Sequence, residues 1–253
     1  MAMDEKLRDL LGHLSSWLQF QQRLGVSQLP RSVQLRQTLD AAAPMKTAHL
    51  GLNRQSPISN GTGQVAGLAE VRSRLGDCRR CDLCLSRRNI VFGEGPETAR
   101  LMIVGEAPGR DEDIQGRPFV GVSGELLTRM LQAIDLARTD VYITSVLKCR
   151  PPRNRTPESD EIARCSPFLF QQMQAIAPHF VLALGGVAAA ALLGKSGAVT
   201  SLRGRFHTID NIRVLVTYHP AYLLRLTGER QKALKLEAWR DLQMLQREYA
   251  GMH

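Results

Sequence analysis

No stretch of this 253-residue chain approaches the roughly 18 consecutive apolar residues that a membrane-spanning helix needs. Its opening, MAMDEKLRDL, has no signal-peptide core, so a cytoplasmic setting and no membrane partner are expected. Cysteine is scarce and odd in number, five in all, which excludes a fully paired disulfide framework. In a reducing compartment metal binding is the better expectation for those thiols. A lysine is missing where a phosphate loop would have one. The stretch GEAPGRDEDIQGRPFVG, after the apolar run 101–104, has glycines but also the acids Glu106, Asp111, Glu112 and Asp113. That much negative charge does not cradle phosphate.

What is present begins with charge. A net charge of +9 and a pI near 9.8 favour a polyanionic partner such as nucleic acid. Residues 4–24 place Leu7, Leu10, Leu11, Leu14, Trp17, Leu18 and Leu24 at helical spacing. An amphipathic helix over 1–24 follows, packing on its own protein, on a second copy or on a protein partner. Residues 25–66, with Pro30, Pro44 and Pro57 among many polar residues, read as a flexible linker.

From about residue 67 to 250 the pattern changes. Four short apolar runs, 101–104, 141–147, 180–184 and 214–217, alternate with helical patterns. The first of those helices has Ser123 as its expected cap, and the second has Thr156. This alternation predicts an α/β fold of three layers, a central four-stranded parallel sheet flanked by helices. Ligands in such sheets bind beyond the carboxyl ends of the strands. The segments GEAPG, KCRPPRNR and YHPAYLLR all fall there.

Cys78 and Cys81 form a C-x-x-C, Cys84 repeats the spacing, and Cys149 and Cys165 lie downstream. Two pairs of thiols in one cytosolic chain point to a tetrahedral sulfur site. Zinc and an iron–sulfur cluster both fit, and five candidates compete for four places.

Taken together, CRRCDL, VFGEG, GEAPGRDEDIQGRPFVG, VLKCRPPRNRTP and YHPAYLLR resemble the family 4 uracil-DNA glycosylases, the iron–sulfur type, over about residues 70–247. The resemblance implies a monofunctional enzyme that hydrolyses uracil, the deaminated form of cytosine, from single- or double-stranded DNA and leaves an abasic site. It also implies a [4Fe–4S] cluster on Cys78, Cys81, Cys149 and Cys165, with Cys84 the spare thiol. Glu112 is then the carboxylate that orients or deprotonates water, and His219 the group that stabilises the departing base.

By the same resemblance Gly105, Glu106 and Ala107 present main-chain amides to an everted base. Ala107 stands where better-known uracil glycosylases carry a water-activating aspartate. Phe119 supplies the stacking face, and Asn154 an amide near the pocket. Arg153, Arg155, Arg203, Arg205 and Arg225 are the expected phosphate contacts. One position departs from the family. Ser145 stands where asparagine usually reads the uracil edge, and a hydroxyl lacks the amide's two-point contact. Two alternatives follow from that departure: a glycosylase for hypoxanthine or xanthine, or a catalytically weak DNA-binding iron–sulfur protein.

Overall fold

The computed structural model of the protein describes residues 66–194 and 197–251. The helix expected over 1–24 and the linker expected over 25–66, except its last residue, lie outside the described residues. Five strands, β1 (Leu101–Gly105), β2 (Tyr142–Ser145), β3 (Phe180–Leu184), β4 (Phe206–Ile209) and β5 (Ile212–Thr217), form one sheet in the order β2-β1-β3-β5-β4. The helices, in chain order, are α1 (Leu68–Leu75), α2 (Arg110–Gln115), α3 (Val122–Gln132), α4 (Ser159–Ile176), α5 (Gly186–Leu193), α6 (Val199–Leu202), α7 (Pro220–Arg225) and α8 (Gly228–Ala250).

The four apolar runs are the parallel strands: β1 pairs with β2 and β3, and β3 with β5. Strand β4 is an addition to the expected four. It runs antiparallel to β5 across a turn in which Asp210 and Asn211 are both left-handed. Its sequence FHTI buries only Ile209, so this edge strand lacks the apolar run that marks a strand covered on both faces.

All five residues of β1 are buried because helices cover both faces. Leu101 and Ile103 point to a layer holding Leu127, Leu131, Leu242 and Leu245 of α3 and α8. Met102 and Val104 point to the opposite layer, with Val71, Leu169, Met173 and Ala188 of α1, α4 and α5. Two helix starts differ from expectation. Gly121, not Ser123, caps α3, and Glu158, not Thr156, caps α4. At α4 the Glu161 carboxylate reaches back and accepts from the Glu158 N–H at 2.8 Å, the return bond of a capping box.

The order β2-β1-β3 means that the chain leaves β1 to one side and returns to the other. The crevice between the carboxyl ends of β1 and β3 is therefore a topological switch point. Gly105 ends β1, Gly185 follows β3, and His219 lies two residues beyond β5.

Candidate active site and four-cysteine centre

Gly105, Phe119, Ser145 and His219 meet at that crevice. A Cβ on Gly105 would lie 2.5 Å from Phe119 Cζ and 3.1 Å from Ser145 Oγ, so only glycine leaves the space open. The rings of Phe119 and His219 face each other, with centroids 5.7 Å apart and planes 30° from parallel. Gly185, at φ +91°, lets the backbone pass beneath His219, whose Cβ would sit 3.2 Å from an added methyl.

Phe119 is held by a network that the sequence did not announce. Its backbone is left-handed, at φ 51°. Gly124 accommodates the turn, since a Cβ there would lie 1.9 Å from the Phe119 carbonyl oxygen. Arg138 donates to the carbonyls of Phe119 (3.0 Å) and Pro118 (2.9 Å) and pairs with Glu94, which also takes Arg117. Burial opposes the charge on Glu94, but the two guanidinium groups hold its carboxyl below the usual range.

Glu112 is buried, and both of its oxygens are engaged. Oε1 accepts from the N–H of Val120 (2.9 Å) and Gly121 (3.0 Å), and Oε2 from that of Gly109 (3.1 Å). The side chain thus clamps the two ends of the acidic loop. Asp113 is buried too, and accepts from the amides of Arg88 and Asn89. Two of the acids that looked out of place in a ligand loop, Glu112 and Asp113, are internal fastenings. Glu106 is different: burial raises its pKa, opposed by the charge of Arg225.

His219 caps α7, and its Nδ1 accepts from the Ala221 N–H at 3.1 Å. That bond leaves the proton on Nε2. Burial, helped by the positive charge of Arg225, pulls its pKa down to about 4. The ring is a neutral imidazole with one donor to offer.

Four of the five cysteines, Cys78, Cys81, Cys149 and Cys165, line one pocket together with Arg87 and Arg164. Cys84 is not on its wall. Donors already point at three of the sulfurs: Arg80 at Cys78 (3.3 Å), Arg87 at Cys149 (3.4 Å) and the Lys148 amide at Cys165 (3.3 Å). Burial pushes the thiols of Cys149 and Cys165 up to about 11 and about 12. Four thiols, two buried and two half-buried, with N–H groups aimed at three of the sulfurs, suit anionic sulfur bound to metal. Among the described residues no three Cys, His, Asp or Glu side chains gather as a single ion would require. Ala107, in the loop that follows β1, packs against the cluster of Leu83, Leu147, Cys149 and Cys165. Lys148, in the same wall, is fully buried, and burial pulls its pKa down to about 7 against the opposing influence of Cys165.

The expected DNA contacts divide. Arg203 forms a paired contact with Asp241 (3.0 and 2.9 Å), bonds Glu237 and lies over the Tyr218 ring, leaving 15% of its side chain exposed. Arg155 grips Glu161 (2.9 and 2.6 Å) at the start of α4. Both are internal ties, because buried carboxylates claim them. Arg153, Arg205 and Arg225 are exposed. Asn154 is also exposed, and its side-chain oxygen accepts from Arg150 at 2.7 Å, so its amide is turned to its own loop. In sequence these arginines look alike; only the tertiary partners distinguish them.

An α/β sheet with facing rings at its switch point defines the class of fold. Residues 92–243 match the family model of the Uracil DNA glycosylase superfamily. Type-4 uracil-DNA glycosylases are similar over the same region. That of Saccharolobus solfataricus is 47% identical over 58% of this chain and 72% of its own. That of Archaeoglobus fulgidus is 42% identical over 62% and 83%, and that of Thermotoga maritima 43% over 66% and 88%. The chain belongs to the uracil DNA glycosylase superfamily, in its type-4 family.

Proposed function

We propose that this protein hydrolyses the N-glycosidic bond of uracil in DNA and leaves an abasic site. One observation carries this function: the facing rings of Phe119 and His219 beside bare Gly105 and the Ser145 hydroxyl, at the mouth of the sheet. An everted base stacks on Phe119, a contact worth about 1–3 kcal/mol against the cost of unstacking. Ser145 meets its polar edge. As the glycosidic bond lengthens, negative charge grows on the base, and His219 Nε2–H donates to it without a proton changing hands.

Glu106 replaces Glu112 as the carboxylate for the water. Arg225 acts electrostatically on Glu106 as it does on His219, whereas Glu112 is committed to three amides. Phosphates on either side of the base are met by Arg153, Arg205 and Arg225. Cys78, Cys81, Cys149 and Cys165 hold a [4Fe–4S] cluster. Four cysteine thiols on the wall of one pocket are the donor set that such a cluster takes. When bound, the cluster supplies a four-point tie between the loop of Cys78 and the segment that follows β2.

The test is uracil release from a defined oligonucleotide, wild type beside Ser145→Asn. Asparagine restores the two-point contact, so the variant should cleave uracil faster or discriminate better against cytosine. Release of hypoxanthine or xanthine alone by the wild type would move the assignment to purines. Ser145 is the observation that keeps this second reading alive. No release of any base would leave a DNA-binding protein.

A further inference from the structure

Lys148 belongs to neither the base slot nor the thiol set, yet it lies between them. Its side chain is fully buried. Nζ lies 2.6 Å from Thr144 Oγ1, 2.7 Å from the Ser145 carbonyl oxygen and 2.7 Å from Gln172 Oε1. All three are acceptors here. The Thr144 hydroxyl donates its proton to the Phe92 carbonyl at 2.9 Å. The Gln172 amide nitrogen donates to the same carbonyl at 2.9 Å and to the Tyr142 hydroxyl oxygen at 3.2 Å, which fixes its oxygen toward the lysine. A neutral amine has two N–H groups and cannot serve three acceptors. The ammonium, with three N–H groups, is the form that matches all three acceptors.

A full charge in a dry interior needs a counter-charge. Among the described residues Lys148 pairs with no carboxylate, and its three partners are neutral. With the proposed cluster bound, the thiolates on the sulfur side supply the counter-charge. The lysine's own backbone N–H donates to Cys165 Sγ, and Cys149 is the next residue in the chain. Gln172 lies seven residues beyond Cys165 on α4, two turns along, so the same helix face carries a thiol ligand and a partner of the ammonium.

We infer that Lys148 is the internal counter-ion of the four-thiolate centre, holding the Ser145 carbonyl of the base pocket with the same charged group. The inference rests on the cluster proposed above. A cluster held by four thiolates carries net negative charge, and a nearby cation favours its more reduced state.

Redox titration of the purified full-length protein, with iron and acid-labile sulfide measured on each sample, tests this. Lys148→Met keeps the length of the side chain and removes the charge. Gln172→Glu keeps the shape and places a carboxylate on the ammonium; Thr144 still satisfies the Phe92 carbonyl. Both variants are expected to retain iron and sulfide and to shift the midpoint potential below that of wild type. A loaded variant with an unchanged or raised potential overturns the counter-ion role. If Lys148→Met does not assemble, the potential of Gln172→Glu decides alone. Wild-type protein free of iron and sulfide would overturn the cluster itself and this role with it.

Discussion

His219 allows the sharpest test, because geometry and charge commit it to one protonation state. Its Nδ1 is occupied by the Ala221 amide, and its pKa is drawn down to about 4. At pH 7 only about one molecule in a thousand then carries imidazolium. If the neutral Nε2–H is the acting donor, kcat/KM measured on a uracil oligonucleotide should show no rise from this group as pH falls from 8 to 5. Removing the donor with His219→Ala should lower kcat by about 10²–10³, the cost of one lost donor to a developing anion.

The same shift has a stability consequence. The folded pKa lies below the unfolded value of 6.5, so the folded state binds fewer protons in between. The contribution is complete above pH 6.5 and is lost as pH falls toward 4, at most about 3 kcal/mol in all. Chemical denaturation between pH 7 and 4 should therefore fall off less steeply for His219→Ala than for wild type. An activity profile that climbs with an inflection near 6.5 on the way to acid would mean the cation is the working form, and the neutral-donor mechanism would be wrong.

Three further outcomes follow from the site. Glu106→Gln should cut kcat at least tenfold with the melting temperature unchanged, whereas Glu112→Gln should cost about 1–3 kcal/mol of stability through its weakened amide contacts, read by thermal unfolding. Gly105→Ala should stay folded but lose base release, because the methyl enters the slot against Phe119; uracil-independent DNA binding, measured by anisotropy, should persist. Arg153→Ala, Arg205→Ala or Arg225→Ala should each reduce the salt slope of DNA binding by about one, while Arg203→Ala should leave the slope alone and destabilise the fold by exposing Asp241 to an unpaired burial.

Much of the molecule was legible before any coordinates. Strands covered on both faces must be continuous apolar runs, so β1, β2, β3 and β5 announced themselves, and with them the parallel sheet. The edge strand β4 did not, because half of it faces solvent and its alternation is too short to read. The thiols Cys78, Cys81, Cys149 and Cys165 were picked out by motif, and they line one cavity while Cys84 does not.

What the sequence determined by itself was therefore local: which segments bury both faces, which loops hang from one edge, and which residue types those loops carry. Only the tertiary structure decided which partner each charged group finds. Glu112 became a clamp because three amides converge on it, and Arg203 and Arg155 became ties because buried carboxylates lie within reach. Phe119 was brought to His219 across a hundred residues of chain by the winding of β1, β3 and β5 around one switch point. Charge and hydrogen-bonding capacity are written in a side chain, but the partner that uses them up is a matter of distance, and distance is set by the fold.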